Sequence, residues 1–91
     1  MARSDSVMYV RLAAVYALDA TNRYSSAVTG LVTALDDSAP EVRRAAAIAI
    51  ARVGAPAQSA SVSLARLRAD PNADVRQAAT HALNAIAPQR P

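Results

Sequence analysis

Residues 37–46 read DSAPEVRRAA. The frame inside this stretch, an Asp followed by four residues and then Val-Arg, runs from Asp37 to Arg43. It also occurs from Asp5 to Arg11 and from Asp70 to Arg76. The three Asp residues lie 32 and 33 residues apart. A return at that interval marks a repeat architecture, in which each copy is one supersecondary unit that cannot bury its apolar face alone.

The match continues downstream of each frame. Ala13-Ala14 aligns with Ala45-Ala46 and Ala78-Ala79, then Ala17 with Ala49 and Ala82, Leu18 with Ile50 and Leu83, and Thr21 with Val53 and Ile86. Small or apolar residues at steps of three and four mark one face of a helix. Each frame therefore opens a helix, predicted over 7–21, 40–53 and 73–86. Ser38 with Glu41 fits a capping box, Pro40 suits a first turn, and Asn72 followed by Asp74 supplies a cap and an acid at a positive helix end. Gly54 after Val53, with Pro56 beyond it, is a stop signal. Between these helices lie two amphipathic segments, YSSAVTGLVTAL at 24–35 and AQSASVSLARLR at 57–68. With the frame-bearing helix written B and the other A, the chain reads B, A-B, A-B, which is two and a half helical hairpins and five helices.

Composition agrees with an all-α class. The chain has 91 residues, is 53% hydrophobic with abundant Ala, and carries no Phe, Trp or Cys and only two Gly. Ala has the highest helix propensity but buries little area, so the helices must pack closely. One domain is expected, with modest stability at this size. The absence of Cys excludes a disulfide framework and thiolate metal sites. The formal charge of +3 comes from Lys+Arg 10 against Asp+Glu 7, the basic residues all being Arg, a composition that resembles G+C-rich bacterial coding. No apolar run approaches the 18 or so residues needed to span a bilayer and no secretory h-region is present, so a soluble cytoplasmic protein without membrane association is expected.

Catalytic and cofactor chemistry find no support. His81 is the only imidazole, and no acid or Cys stands three or four residues from it to complete a metal or acid-base site, so it reads as a solvent-facing helix residue. The Ser residues lack a nucleophile elbow or an adjacent His-acid pair. Gly30 and Gly54 are too far apart for a phosphate loop. Asp36 and Asp37 lack the further oxygen donors of a calcium loop and read as turn residues. No catalytic residue, metal ligand or cofactor is assigned.

The stretches 31–54, LVTALDDSAPEVRRAAAIAIARVG, and 64–87, LARLRADPNADVRQAATHALNAIA, with a weaker half-copy DSVMYVRLAAVYALDAT at 5–21, resemble the HEAT-repeat family. The resemblance is to its short bacterial, phycobilisome-lyase-like form. It implies an α-α superhelix in which A helices lie outside and B helices line a concave surface. The expected organisation is an N-terminal lead 1–6, a half repeat 7–22, repeats 23–54 and 55–87, and a disordered tail 88–91. In such a stack Arg11, Arg43 and Arg76 point along the solenoid toward the A-to-B turns that hold Asp37 and Asp70. A planar guanidinium can bridge two acceptors there, which gives the frame a structural role as a ladder of Asp37, Arg43, Asp70 and Arg76.

The resemblance also directs attention to the exposed stripe of the B helices, whose aligned columns read Leu12, Arg44, Gln77; Val15, Ala47, Thr80; Tyr16, Ile48, His81; and Asp19, Ala51, Asn84. A patch of Leu12, Val15, Tyr16 and Ile48, rimmed by Arg44 and Arg52 and extended by His81, has the composition of a protein-binding surface; the alternative is a helical phase shifted by one residue, with some of these side chains in the core. The function expected is a non-catalytic interaction module or scaffold that binds a partner protein or its own copy. Binding of a nucleic-acid backbone through the Arg-rich face is an alternative, disfavoured by interspersed acids and the lack of stacking aromatics. An accessory role in a lyase-like modifying enzyme is a further alternative, from resemblance alone. Because the first B helix has no A partner before it and no polar cap is recognisable, the chain is expected to belong to a longer array or to have an end covered by another chain.

Overall fold

Proline, glycine and Asp-led turns divide the chain into helices. The computed structural model describes the backbone of residues 2–21 and 24–87 and the side chains of residues 7–17, 28–54 and 57–87. Five α-helices are found among them: α1 Ala2–Thr21, α2 Tyr24–Ala34, α3 Pro40–Val53, α4 Ser61–Leu67 and α5 Ala73–Ile86, with a 3-10 segment, Ala55–Ala60, before α4. The B helices are α1, α3 and α5, and the A positions are held by α2 and by the 3-10 segment with α4. None of the helices is long and apolar enough to cross a membrane. The expected tail 88–91 lies outside the described residues.

The starts of α3 and α5 follow from the turn chemistry, with one difference from the sequence reading. At α5 the side chain of Asn72 accepts from the amides of Asp74 and Val75, the expected cap. At α3 the N-cap is Ala39, which makes no side-chain cap bond, so Ser38 and Glu41 do not form a capping box. With Pro40 fixed at N1, Glu41 falls at N2, one position short of reaching back. Instead Asp37 Oδ1 accepts from the Ala39 amide at 2.9 Å, just as Asp70 Oδ1 accepts from the Asn72 amide at 2.9 Å. The C-terminal stop of α3 is Gly54, at φ 75, whose amide donates to the Ile50 carbonyl.

Two further differences have local causes. α1 begins at Ala2, so Asp5 lies inside a helix rather than at its head, and the lead expected over 1–6 is helical from Ala2. No Pro or Gly interrupts residues 2–9, whereas Pro40 and Pro71 prevent helix from extending upstream of the other two frames. The second A segment, expected as one helix over 57–68, is split. The chain leaves Gly54 directly into Ala55-Pro56, and a tight turn closes with the Ala57 amide on the Gly54 carbonyl at 2.8 Å before α4 starts.

The core lies between the A and B layers. Its largest fully buried side chains are Leu31 and Leu35 from α2 and its end, Val42 and Ile50 from α3, Leu64 from α4, and Val75 and Ile86 from α5. Ala45, Ala46, Ala47 and Ala49 of α3, and Ala78, Ala79 and Ala82 of α5, are buried around them and allow close helix approach. α3 is central and packs against α1, α2 and α5. The two ends of the stack differ. Val42 and Val75 are 0% exposed, but Val10, at the same repeat position in α1, is 70% exposed. Ala14 and Ala17 are likewise exposed where Ala46, Ala49, Ala79 and Ala82 are covered. At the other end Thr80, aligned with the buried Ala47, presents a polar, exposed side chain.

Candidate functional site

Three B helices side by side create one groove. Between α1 and α3 it has a volume of about 340 Å³ and is lined by Leu12, Tyr16, Glu41, Arg44, Ala45, Ile48 and Arg52. Between α3 and α5 it widens to about 640 Å³, with Arg44, Ile48, Asp74, Gln77, Thr80, His81 and Asn84 on its walls. Arg44 and Ile48 belong to both parts and make the groove continuous.

The helical period explains who lines it. Tyr16, Ile48 and His81 are equivalent in the three copies and share one face of each B helix. Tyr16 is 58% exposed, and Arg44, Arg52 and His81 are also exposed. Leu12 and Ile48 are half-buried, packed on the core with one side and open to the groove with the other. Val15 departs from the expected patch: it is 2% exposed and belongs to the core. Val15 and Ala47 are both buried in the core, so in α1 and α3 their column does not face solvent. The phase assigned from the sequence was one residue too wide there.

Two acids were not anticipated in the groove. The sequence reading gives Glu41 a role in a capping box and Asp74 one as an acid at a helix start, but both lie on the groove wall. Their repeat positions immediately before Val42 and Val75 carried the signal. The groove is therefore of mixed sign, with Arg44 and Arg52 one helical turn before and after Ile48 and Glu41 and Asp74 gathered with Arg44 near the helix starts. Among the described residues no group of three His, Cys, Asp or Glu side chains could hold a metal ion.

Away from the groove, at the A-to-B turns, the frame residues form two equivalent rungs. Arg11 donates from Nε to Asp37 Oδ2 at 2.6 Å and from Nη2 to Oδ1 at 3.0 Å. Arg43 does the same to Asp70, at 2.7 and 3.1 Å, and its Nη1 also donates to the carbonyls of Asp37 and Ser38. Arg76 repeats only the carbonyl contacts, from Nη1 to Asp70 and Pro71. Burial would raise the carboxyl pKa of Asp70, but the Arg43 hydrogen bonds, the Asn72 amide and the charges of Arg43 and Arg76 outweigh it and hold it below the ordinary value. Asp37 is lowered in the same way, with burial opposed by Arg11, the Ala39 amide and Arg43.

Helical hairpins stacked on a repeating Asp and Arg frame, with B helices lining a concave groove, define an α-solenoid. A family model for HEAT repeats matches residues 1–84, and the chain belongs to that family. Neither a curated protein nor a solved structure matches it. HEAT repeats generally serve as protein-interaction scaffolds and are typically non-catalytic.

Proposed function

We propose that this chain is a non-catalytic protein-binding module whose groove takes up an apolar segment of a partner protein. The observation that carries the reading is Tyr16, an aromatic side chain 58% exposed beside half-buried Leu12 and Ile48. An exposed ring next to a partly open apolar floor is the arrangement from which binding hot spots are built, because it buries large area at small entropic cost. Arg44 and Arg52 flank it as a charged rim, which steers encounter more than it tightens the complex. A nucleic-acid backbone fits less well, since Glu41 and Asp74 would face its phosphates from the same walls.

The test uses Tyr16→Ala, Ile48→Ser and Arg44→Glu in affinity purification with quantitative comparison against the unaltered chain, alongside light scattering for self-association. Interactors or self-association lost in Tyr16→Ala, with helical circular dichroism unchanged, support the reading. Equal binding by all three variants, or loss confined to nucleic acid in Arg44→Glu, overturns it.

A further inference from the structure

The part of the groove between α1 and α3 has two unlike walls. On α1, Tyr9, Leu12 and Tyr16 stand at steps of three and four residues, so they share one face over two turns. Tyr9 is 62% exposed and Tyr16 58%, and the half-buried Leu12 lies between them. On α3 the lining residues Glu41, Arg44, Ile48 and Arg52 follow one another as acid, base, apolar residue and base. Their steps of three, four and four residues span roughly 16 Å at the α-helical rise. Glu41 and Arg44 are exposed and make no side-chain hydrogen bond or ion pair among the described residues, so their charges are open to an occupant. The part between α3 and α5 differs, since Gln77, Thr80, His81 and Asn84 give it a polar wall where α1 supplies an apolar one.

We propose that the furrow between α1 and α3 takes an acidic amphipathic helix of a partner protein, laid alongside both. This deepens the groove reading and rests on it. A helix is the occupant because both walls repeat at the helical period, so the apolar stripe of α1 meets the apolar edge of a partner helix turn for turn. An extended segment repeats its same-face side chains about every 6.7 Å, against about 5.4 Å for a helical turn, and falls out of step within the furrow's length. Charge order sets the partner's other edge. Arg44 and Arg52 outnumber Glu41 on α3. They call for an acid one turn to either side of the residue that meets Ile48, and Glu41 calls for a base beyond the first of those acids; this order fixes the register. A second copy of this chain does not supply the pattern. Arg44 and Arg52 lie 8 residues apart, whereas Asp5 and Asp19 of α1 lie 14 apart, and no other described helix carries two acids.

The experiment measures binding of a fluorescent, hydrocarbon-stapled helix of about 15 residues to the full chain by anisotropy. The peptide carries Leu along one edge and Lys, Glu, Leu and Glu at steps of three, four and four residues along the next. A second version exchanges Lys for Glu and Glu for Lys, and a third, unstapled, has proline at its centre. The first should bind about tenfold more tightly than the second, by a margin that shrinks as salt rises, and the third should lose that binding. Arg44→Glu should invert the preference between the first two. Tyr9→Ala should weaken the first about tenfold with circular dichroism unchanged. Equal binding of the first two versions, binding of neither, undiminished binding of the third, or indifference to Tyr9→Ala overturns the inference. In each of those cases a captured partner that still needs Tyr16 and Ile48 leaves the groove reading standing, whereas binding indifferent to Tyr16→Ala and Ile48→Ser sinks both. A mass doubling of the chain alone that Tyr16→Ala abolishes assigns the furrow to a second copy and overturns the choice of a partner helix.

Discussion

Arg43 reaches 27 residues ahead to grip Asp70 with two parallel hydrogen bonds while its remaining terminal nitrogen holds the Asp37 and Ser38 carbonyls. One side chain thus fixes the distance between successive A-to-B turns. The side chains of the pair are 14% and 5% exposed, against 35% and 10% for Arg11 and Asp37. Removing one partner of a buried pair strands the other charge, and Arg43→Ala should cost about 3 kcal/mol. Arg11→Ala, in a wetter setting, should cost clearly less than Arg43→Ala. Urea unfolding of the two variants checks the order, and an equal cost would count against the ladder as a graded structural device.

Acid should act through the same rungs. The folded-state pKa values of Asp37 and Asp70 lie below the ordinary value of 3.8. For a depressed carboxyl, the unfolded chain takes up protons first as pH falls. The associated stability is therefore present above the ordinary carboxylate value and is lost as pH drops through the folded value. Thermal midpoints should fall below about pH 4. Asp70→Asn should be less stable at neutral pH and should show a shallower acid limb than the unaltered chain.

The two ends of the core make a matched pair of substitutions. Val42 is fully buried and Val10 is 70% exposed at the same repeat position. Val42→Ala should cost about 2 kcal/mol, since it leaves a cavity in the core. Val10→Ala should stay within about 0.5 kcal/mol, as for an exposed site. Similar losses at both positions in chemical denaturation would mean that α1 is covered as α3 is.

Val15 and Tyr16 are adjacent in sequence and opposite in consequence. Val15→Ala should lower stability by about 2 kcal/mol and leave partner binding alone. Tyr16→Ala should weaken binding by about 2 kcal/mol and leave stability alone. Measuring both quantities for both variants tests the helical phase of α1 directly.

Gly54 closes α3 at φ 75 and ψ −145, a backbone conformation open essentially to glycine. A Cβ there would meet only the Ala85 carbonyl oxygen at 3.9 Å, so space is not the obstacle. Gly54→Ala should still cost about 1 to 3 kcal/mol through backbone strain alone, read as a lower thermal midpoint with unchanged helix content.

The repeat and the extents of α3 and α5 were legible in the sequence because Pro40, Gly54, Pro71 and Asn72 punctuate them and the frame recurs around them. The exposed Tyr16, Arg44, Arg52 and His81 were legible from the 3.6-residue period. Val15 was not, because an Ala-rich helix is apolar over a wide arc and alignment of Val15 with Ala47 and Thr80 mixes two buried positions with an exposed one. The break before α4 was missed since Ala-Pro-Ala reads equally as a helix start. Nor could the frame separate Arg76 from Arg43, which carry the same local sequence signal and differ only in what the following repeat supplies.

Both described salt bridges, Arg11 with Asp37 and Arg43 with Asp70, tie the stack together along its turns, while the groove runs along the B helices from Glu41 and Asp74 near their starts to Arg52 and Asn84 further on. The tied edge behaves as the spine of a fan. Small rotations of α1, α3 and α5 about that spine leave the charged contacts intact and change chiefly the spread of the helices beside Tyr16, Ile48 and Arg52. If the groove is a binding site, its open side is where a difference in width between occupants would be taken up, away from the rungs that keep the repeats in register.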